Sequence, residues 1–157
     1  MENNFKYSRH EKNLLQLLQR DASLSLQDLS EQLNQSKSSI WRNIKKFEDQ
    51  GVIKKRTTLL DARKLNLPLT VYVSIRTNQH NSQWSENFRT VVEQIPEIIE
   101  VHRMSGDLDY LIKALISDID GYDRVYQKLI RADLFDVSSS FVMETIKSTT
   151  ELPLTHL

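Results

Sequence analysis

Between Ser36 and Lys46 the sequence runs Ser-Lys-Ser-Ser-Ile-Trp-Arg-Asn-Ile-Lys-Lys, and a second basic run, Lys54-Lys55-Arg56, follows closely. Set on a helix at about 100° per residue, Ile40, Ile44 and Phe47 form one apolar stripe. The opposite face then carries Ser38, Trp41, Arg42 and Lys45, with Lys37 and Lys46 at its edges. Arg42 has the forked geometry that reads guanine O6 and N7, and Lys45 and Lys46 suit phosphates. Ser36 and the N–H groups of the first turn can hold a phosphate through the helix dipole, and Ser39 is counted with the DNA-binding residues. Lys54, Lys55 and Arg56 would grip the flanking backbone. A basic helix face is most often merely solvated. Two features weigh against that reading: a Trp is costly to leave in water, and the face belongs to a helix-turn-helix pattern. Trp41 serves a groove contact, or else packs on the neighbouring module or on a partner chain.

Three helices must position that face. Leu14, Leu15 and Leu18 line the first, with Leu17 broadening it, and Leu26, Leu29 and Leu33 line the second. Ser25 is placed to cap the second helix and Ser36 the third. Asn34-Gln35-Ser36 allows only a tight turn, and Asn34 tolerates a left-handed backbone there. Gly51 marks the end of the third helix. The period then changes to two: Leu69, Val71, Val73 and Ile75 alternate with polar residues as a strand. Trp84 to Ile95 reads as a helix that Pro96 stops. Ile98–Met104 and Leu108–Ile116 form a hairpin about Ser105-Gly106-Asp107. Tyr122 to Leu129 is a helix capped by Asp118 or Asp120, and Val137–Lys147 is a fourth strand. The expected class is α+β: a winged or three-helix helix-turn-helix domain, then a ferredoxin-like βαββαβ domain. The expected boundaries are 1–53, with the helix-turn-helix motif at about 26–45, a linker at 54–68, and 69–157.

Composition narrows the chemistry. The 157 residues carry 21 basic and 21 acidic side chains and no cysteine. Disulfides, Cys-ligated metals and a thiol nucleophile are excluded. No apolar run reaches the roughly 18 residues of a membrane span, and MENNFKYSRH lacks a leader's apolar stretch, so a cytoplasmic protein is expected. The zero net charge is a sum of opposites: residues 1–64 hold 13 basic against 8 acidic side chains, and residues 65–157 hold 8 against 13. Those halves, at +5 and −5, suit different partners. In the strand over 108–116, Leu111 and Leu115 face away from the side that two helices can cover. That second face calls for another copy of the chain.

From about Tyr7 to Leu154 the sequence resembles the Lrp/AsnC regulators, the feast/famine proteins. The segments that carry the likeness are IWRNIKKFEDQGVIKKRT, MSGDLDYLIKA and SSFVMETIKSTTELPL, in the expected order. The resemblance implies a DNA-binding first domain, a β-strand in the linker over 54–68, and an amino-acid-responsive ferredoxin-like domain. It also implies homodimers that associate further into tetramers or octamers, and a nucleoid-associated protein of bacterial or archaeal type. No cofactor or metal is called for; an amino-acid effector is the one small ligand implied. Its site is built from the hairpin at a contact between dimers, on Met104, Ser105, Gly106, Asp107, Asp109 and Tyr110, with Ser138 and Ser139 nearby. Turn N–H groups at Gly106 and Asp107 suit a carboxylate, and Asp107 or Asp109 an ammonium. Without the likeness, these are ordinary turn residues. The sequence departs from the family where Asn34-Gln35 replaces a glycine and an apolar residue. It departs again where Arg131-Ala132-Asp133-Leu134 stands for Leu/Ile-Pro-Gly-Val, and where Val137-Ser138-Ser139 replaces a Thr-rich start.

Two other functions compete. Some tetrapyrrole decarboxylases share this architecture, yet His80 and His102 are isolated and no catalytic triad, phosphate loop or metal spacing is present. RNA-recognition domains share the βαββαβ order, but the strand YLIKALI lacks their basic, aromatic character and lies in the acidic half. The sequence therefore points to a DNA-binding transcription regulator that is not an enzyme. An Lrp/AsnC-type regulator that has lost its effector response remains the third reading.

Overall fold

Ser8 opens the first helix with a reciprocal cap. Its hydroxyl accepts from the Glu11 N–H at 3.3 Å while the Glu11 carboxylate accepts from the Ser8 N–H at 2.8 Å. A computed structural model describes residues 6–157. Residues 1–5, which enter the expectation of a missing leader and begin the expected first domain, lie outside the described residues. The chain forms two units: one from the chain up to Leu59 together with Lys147–Leu157, the other from Leu60–Ile146.

The first unit holds α1 (Arg9–Arg20), α2 (Leu26–Leu33) and α3 (Lys37–Asp49). Ser25 and Asp28 cap α2 reciprocally, and Ser36 caps α3 through the Ser39 N–H. Asn34 sits at φ 51°, ψ 46°, the left-handed conformation the tight turn requires. Ser30 knits that turn: its carbonyl accepts from the N–H groups of Asn34 and Gln35, and its hydroxyl donates to the Gln35 carbonyl at 2.5 Å. Leu14, Leu29, Ile40, Ile44 and Phe47 are buried together. Each such side chain contributes about 1.5–3 kcal/mol. Gly51 takes φ 69° where α3 ends.

The second unit holds β1 (Leu69–Arg76), α4 (Ser82–Glu93), β2 (Ile98–Arg103), β3 (Tyr110–Ile116), α5 (Ile119–Leu129) and β4 (Asp136–Phe141). The strands form one antiparallel sheet in the order β2-β3-β1-β4. Val71, Val73, Ile75, Ile112 and Ile116 pack with Trp84, Phe88 and Val92 of α4 and Val125 and Leu129 of α5. Both helices cover this one face. The other face carries Tyr72, Ser74, Leu111, Lys113 and Leu115, all partly exposed.

Three expected boundaries move. The strand expected over Val137–Lys147 ends at Phe141, because β1 begins at Leu69 and offers nothing to pair beyond the Val142 N–H to Thr70 carbonyl bond at 2.9 Å. Residues 54–68 contain no strand, only a short 3₁₀ turn at Arg63–Leu65. A strand needs a ladder partner, and neither this linker nor a wing finds one within the described residues. Lys147–Leu157, expected in the second domain, group with the first unit.

Candidate functional site

In the first unit α3 turns its buried stripe inward and leaves Lys37, Ser38, Arg42 and Lys45 in solvent. The Ser36 and Ser38 hydroxyls lie 3.1 Å apart at the helix start, with Ser39 half-buried behind them. The basic side chains are not equivalent. Lys45 pairs with Asp49 at 3.3 Å along the helix, and Arg56 with Glu48 at 3.4 Å. Lys46 is drawn aside to Glu11 of α1 at 2.7 Å. Lys37, Arg42, Lys54 and Lys55 have no ion pair among the described residues, so their charge is available to an outside partner. Trp41 is 57% exposed and edges a groove of about 530 Å³ with Leu24, Leu26 and Leu29. The structure thus brings Lys37, Ser38 and Arg42 onto one open face and places Trp41 at its flank. Lys46 it takes off that face.

Lys54 and Lys55 stand elsewhere, along a groove of about 420 Å³ that also contains Leu15, Leu18, Val52 and Ile53. Thr150, Leu152 and Leu154 of the segment Lys147–Leu157 form another wall of this groove. The Gln19 side-chain amide takes both backbone groups of Leu152, donating to its carbonyl at 3.0 Å and accepting from its N–H at 2.9 Å. Arg20 pairs with Glu151 at 2.9 Å, and the Lys12 ammonium donates to the Leu157 carbonyl. Sequence reading missed this docking because Gln19 holds backbone, which leaves no side-chain pattern in the tail.

In the second unit the hairpin is tied down by a residue the sequence did not single out. Arg76, at the end of β1, pairs with Asp107, donates from Nε to the Asp107 carbonyl at 3.0 Å, and reaches Asp136 of β4 at 2.9 Å. The hydrogen bonds that Arg76 donates to Asp107 and then to Asp136 raise its pKa above the ordinary value. Only the strand order, which seats β1 between β3 and β4, reveals that reach. Gly106 takes φ 108° at the turn, where a side chain would be strained. Asp109 accepts from the Thr77 N–H at 2.8 Å, and its N–H and carbonyl are bonded to Ile75 and Met104. Both candidate carboxylates therefore already have internal donors. Tyr110 packs its ring on Phe88 at 4.6 Å and borders a cleft of about 220 Å³ with Thr77, His80, Arg103 and Asp109. Met104 and Ser105 are exposed beside the turn.

Ser138 and Ser139 fall on opposite faces of β4. Ser138 lies opposite Ser74 on the open face, whereas Ser139 faces the helices and accepts the Tyr122 hydroxyl at 2.6 Å. β1 separates both from the hairpin strands. The open face also carries an ionic row: Lys113 pairs with Glu100 at 2.9 Å, and His102 approaches Glu100 at 3.2 Å.

A helix-turn-helix unit with an open basic face, joined to a βαββαβ sheet unit, defines the class of two-part helix-turn-helix proteins. Residues 8–54 match the winged helix-turn-helix DNA-binding family, and residues 70–152 match the Lrp/AsnC ligand binding domain. The glutamate uptake regulatory protein of Zymomonas mobilis is 46% identical over 142 residues, 90% of this chain and 87% of that protein. An AsnC family transcriptional regulator from Agrobacterium tumefaciens has a solved structure with TM-score 0.90 and 44% identity, covering 96% of this chain and 99% of that one. A transcriptional regulator of Neisseria meningitidis, solved in complex with L-Met, gives TM-score 0.90 at 29% identity, covering 96% and 99%. The chain belongs to the Lrp/AsnC family of transcriptional regulators. It is a DNA-binding regulator with an effector-binding domain, and its relatives are regulators, not enzymes. Among the described residues no helix is long and apolar enough to cross a membrane.

Proposed function

We propose that this regulator reads double-stranded DNA with α3 and adjusts its assembly to an amino acid bound near the hairpin of its second unit. Ser36, Lys37, Ser38, Ser39, Trp41 and Arg42 form the groove-facing set, with Lys45 beside them and Lys54, Lys55 and Arg56 on flanking phosphates. The single observation that carries the reading is the open face of Lys37, Ser38 and Arg42 directly opposite the buried Ile40–Ile44–Phe47 stripe. The partly apolar open face of the sheet supports a homodimer, which would place two reading helices on half-sites about 34 Å apart. The reading domain is residues 1–53 and the working compartment the cytoplasm, on the nucleoid. Further association to tetramers or octamers completes the assembly.

The test is mapping of bound genomic fragments with wild type and with Arg42→Ala/Lys45→Ala. The variant keeps its melting temperature and loses site-specific recovery; undiminished recovery would refute the α3 assignment. The effector part is tested by calorimetry with the twenty amino acids, L-Met first because a relative binds it. No heat with any of them would refute an amino-acid effector.

A further inference from the structure

Glu11 is engaged with two helices at once. One carboxylate oxygen closes the Ser8 cap at the start of α1, at 2.8 Å, and the other accepts the Lys46 ammonium of α3 at 2.7 Å. Its side chain is only 12% exposed, unlike the other carboxylates that pair with the basic residues of this unit. Burial pushes its pKa up, but hydrogen bonds from Lys46 and from the Ser8 backbone and hydroxyl hold it below the ordinary value.

We propose that Glu11 is a positioning residue for DNA reading, standing in for a phosphate at Lys46 and thereby fixing the roll of α3 and withholding that lysine from the DNA backbone. The chemistry of the substitution is direct, since an ammonium meets a carboxylate oxygen and a phosphate oxygen in the same way. A phosphate that took Lys46 would leave the 12% exposed Glu11 carboxylate without its cation, in exchange for a contact that is itself exposed to solvent. Lys46 then adds no phosphate contact to the reading face of α3. The inference rests on α3 being the groove-facing helix.

Glu11→Gln separates the two tasks, because glutamine still closes a capping box while losing the charge. The measurement is binding to a short mixed-sequence duplex across about 50 to 200 mM salt, alongside thermal melting. Each phosphate contact adds about 0.9 to the salt slope, so one released lysine steepens the fall by about 3.5-fold over that range. Glu11→Gln should show that extra fall, and Glu11→Gln/Lys46→Gln should return to the wild-type slope. A wild-type slope in Glu11→Gln, or a gain that survives in the double variant, overturns the proposal. Lys46→Met leaves the cap whole and tests it independently of how the Gln variant folds. A slope shallower by one contact there would mean that Lys46 grips phosphate in the wild type, against the proposal. Should Arg42→Ala leave DNA binding intact, the α3 assignment itself fails, and the slopes report Lys46 alone.

Discussion

Asn34 is the residue on which the reader's tight turn depends, and its backbone makes a sharp prediction. At φ 51°, ψ 46° it holds the left-handed conformation at the end of α2. A residue with a Cβ carries a cost of about 1–2 kcal/mol there, of which asparagine recovers a part through local hydrogen bonding. Alanine has no such recovery, so Asn34→Ala should lose about 1 kcal/mol. Glycine escapes the steric cost but gives up about 0.5–1 kcal/mol through its freer unfolded chain, so Asn34→Gly should stay near wild type. Asn34→Val, with its branched Cβ, should be the least stable of the four. In a unit of this size about 1 kcal/mol corresponds to about 4–8 °C of melting temperature. Thermal melts followed by far-UV circular dichroism, supported by urea midpoints, resolve that ladder. An alanine variant as stable as wild type, or a glycine variant well below it, would show that the turn is not held by a left-handed residue 34. The departure of Asn34 from the family's glycine is then a substitution within one conformational class.

Other expectations can be checked alongside. Deleting residues 148–157 removes the Gln19 clamp on Leu152 and the exposed Arg20–Glu151 pair. The first unit should lose about 1–3 kcal/mol. Hydrogen exchange at the α1 amides reports this, and unchanged protection would contradict it. Tyr122→Phe keeps the ring against Phe141 and drops the bond to Ser139, a loss of about 1 kcal/mol in urea unfolding. Adding Ser139→Ala should cost less than the sum of the two single changes. The Glu100–Lys113 pair lowers the glutamate below its ordinary 4.5, through Lys113 and then His102, and raises the lysine above its ordinary 10.5, through Glu100. Its contribution is full between about pH 4.5 and 10.5. It falls away in acid as Glu100 is protonated and in alkali as Lys113 loses its proton. The stability difference between wild type and Glu100→Gln/Lys113→Met should shrink as the pH falls below about 4.5 and as it rises above about 10.5.

What the sequence discloses is what periodicity records. Helical spacing of Ile40, Ile44 and Phe47, alternation of Val71, Val73 and Ile75, and the Ser25 and Ser36 caps are local, and each element follows from a few neighbouring residues. The open α3 face is legible for the same reason. Charge bookkeeping is not local: the basic residues look alike along the chain, and only packing shows Lys46 bound to Glu11 while Arg42 stays open. Arg76 is invisible for a topological reason, since its two acidic partners are 31 and 60 residues away. Ser138 and Ser139 illustrate the opposite limit. Adjacent strand residues point to opposite faces, so two neighbours in sequence cannot share one pocket wall.

The docking of the tail on α1 bears on how the chain is born. Synthesis releases α1, α2 and α3 first, then the sheet unit, and after it the segment Lys147–Leu157. The reader therefore waits on the ribosome with Leu15, Leu18, Val52 and Ile53 lacking the wall that Thr150, Leu152 and Leu154 supply until the sheet unit has been made. A translation product that stops early carries a reader with an exposed apolar furrow, the kind of surface that chaperones and proteases recognise. The reader is completed only after the sheet unit has emerged, because the segment that docks on α1 follows that unit in sequence.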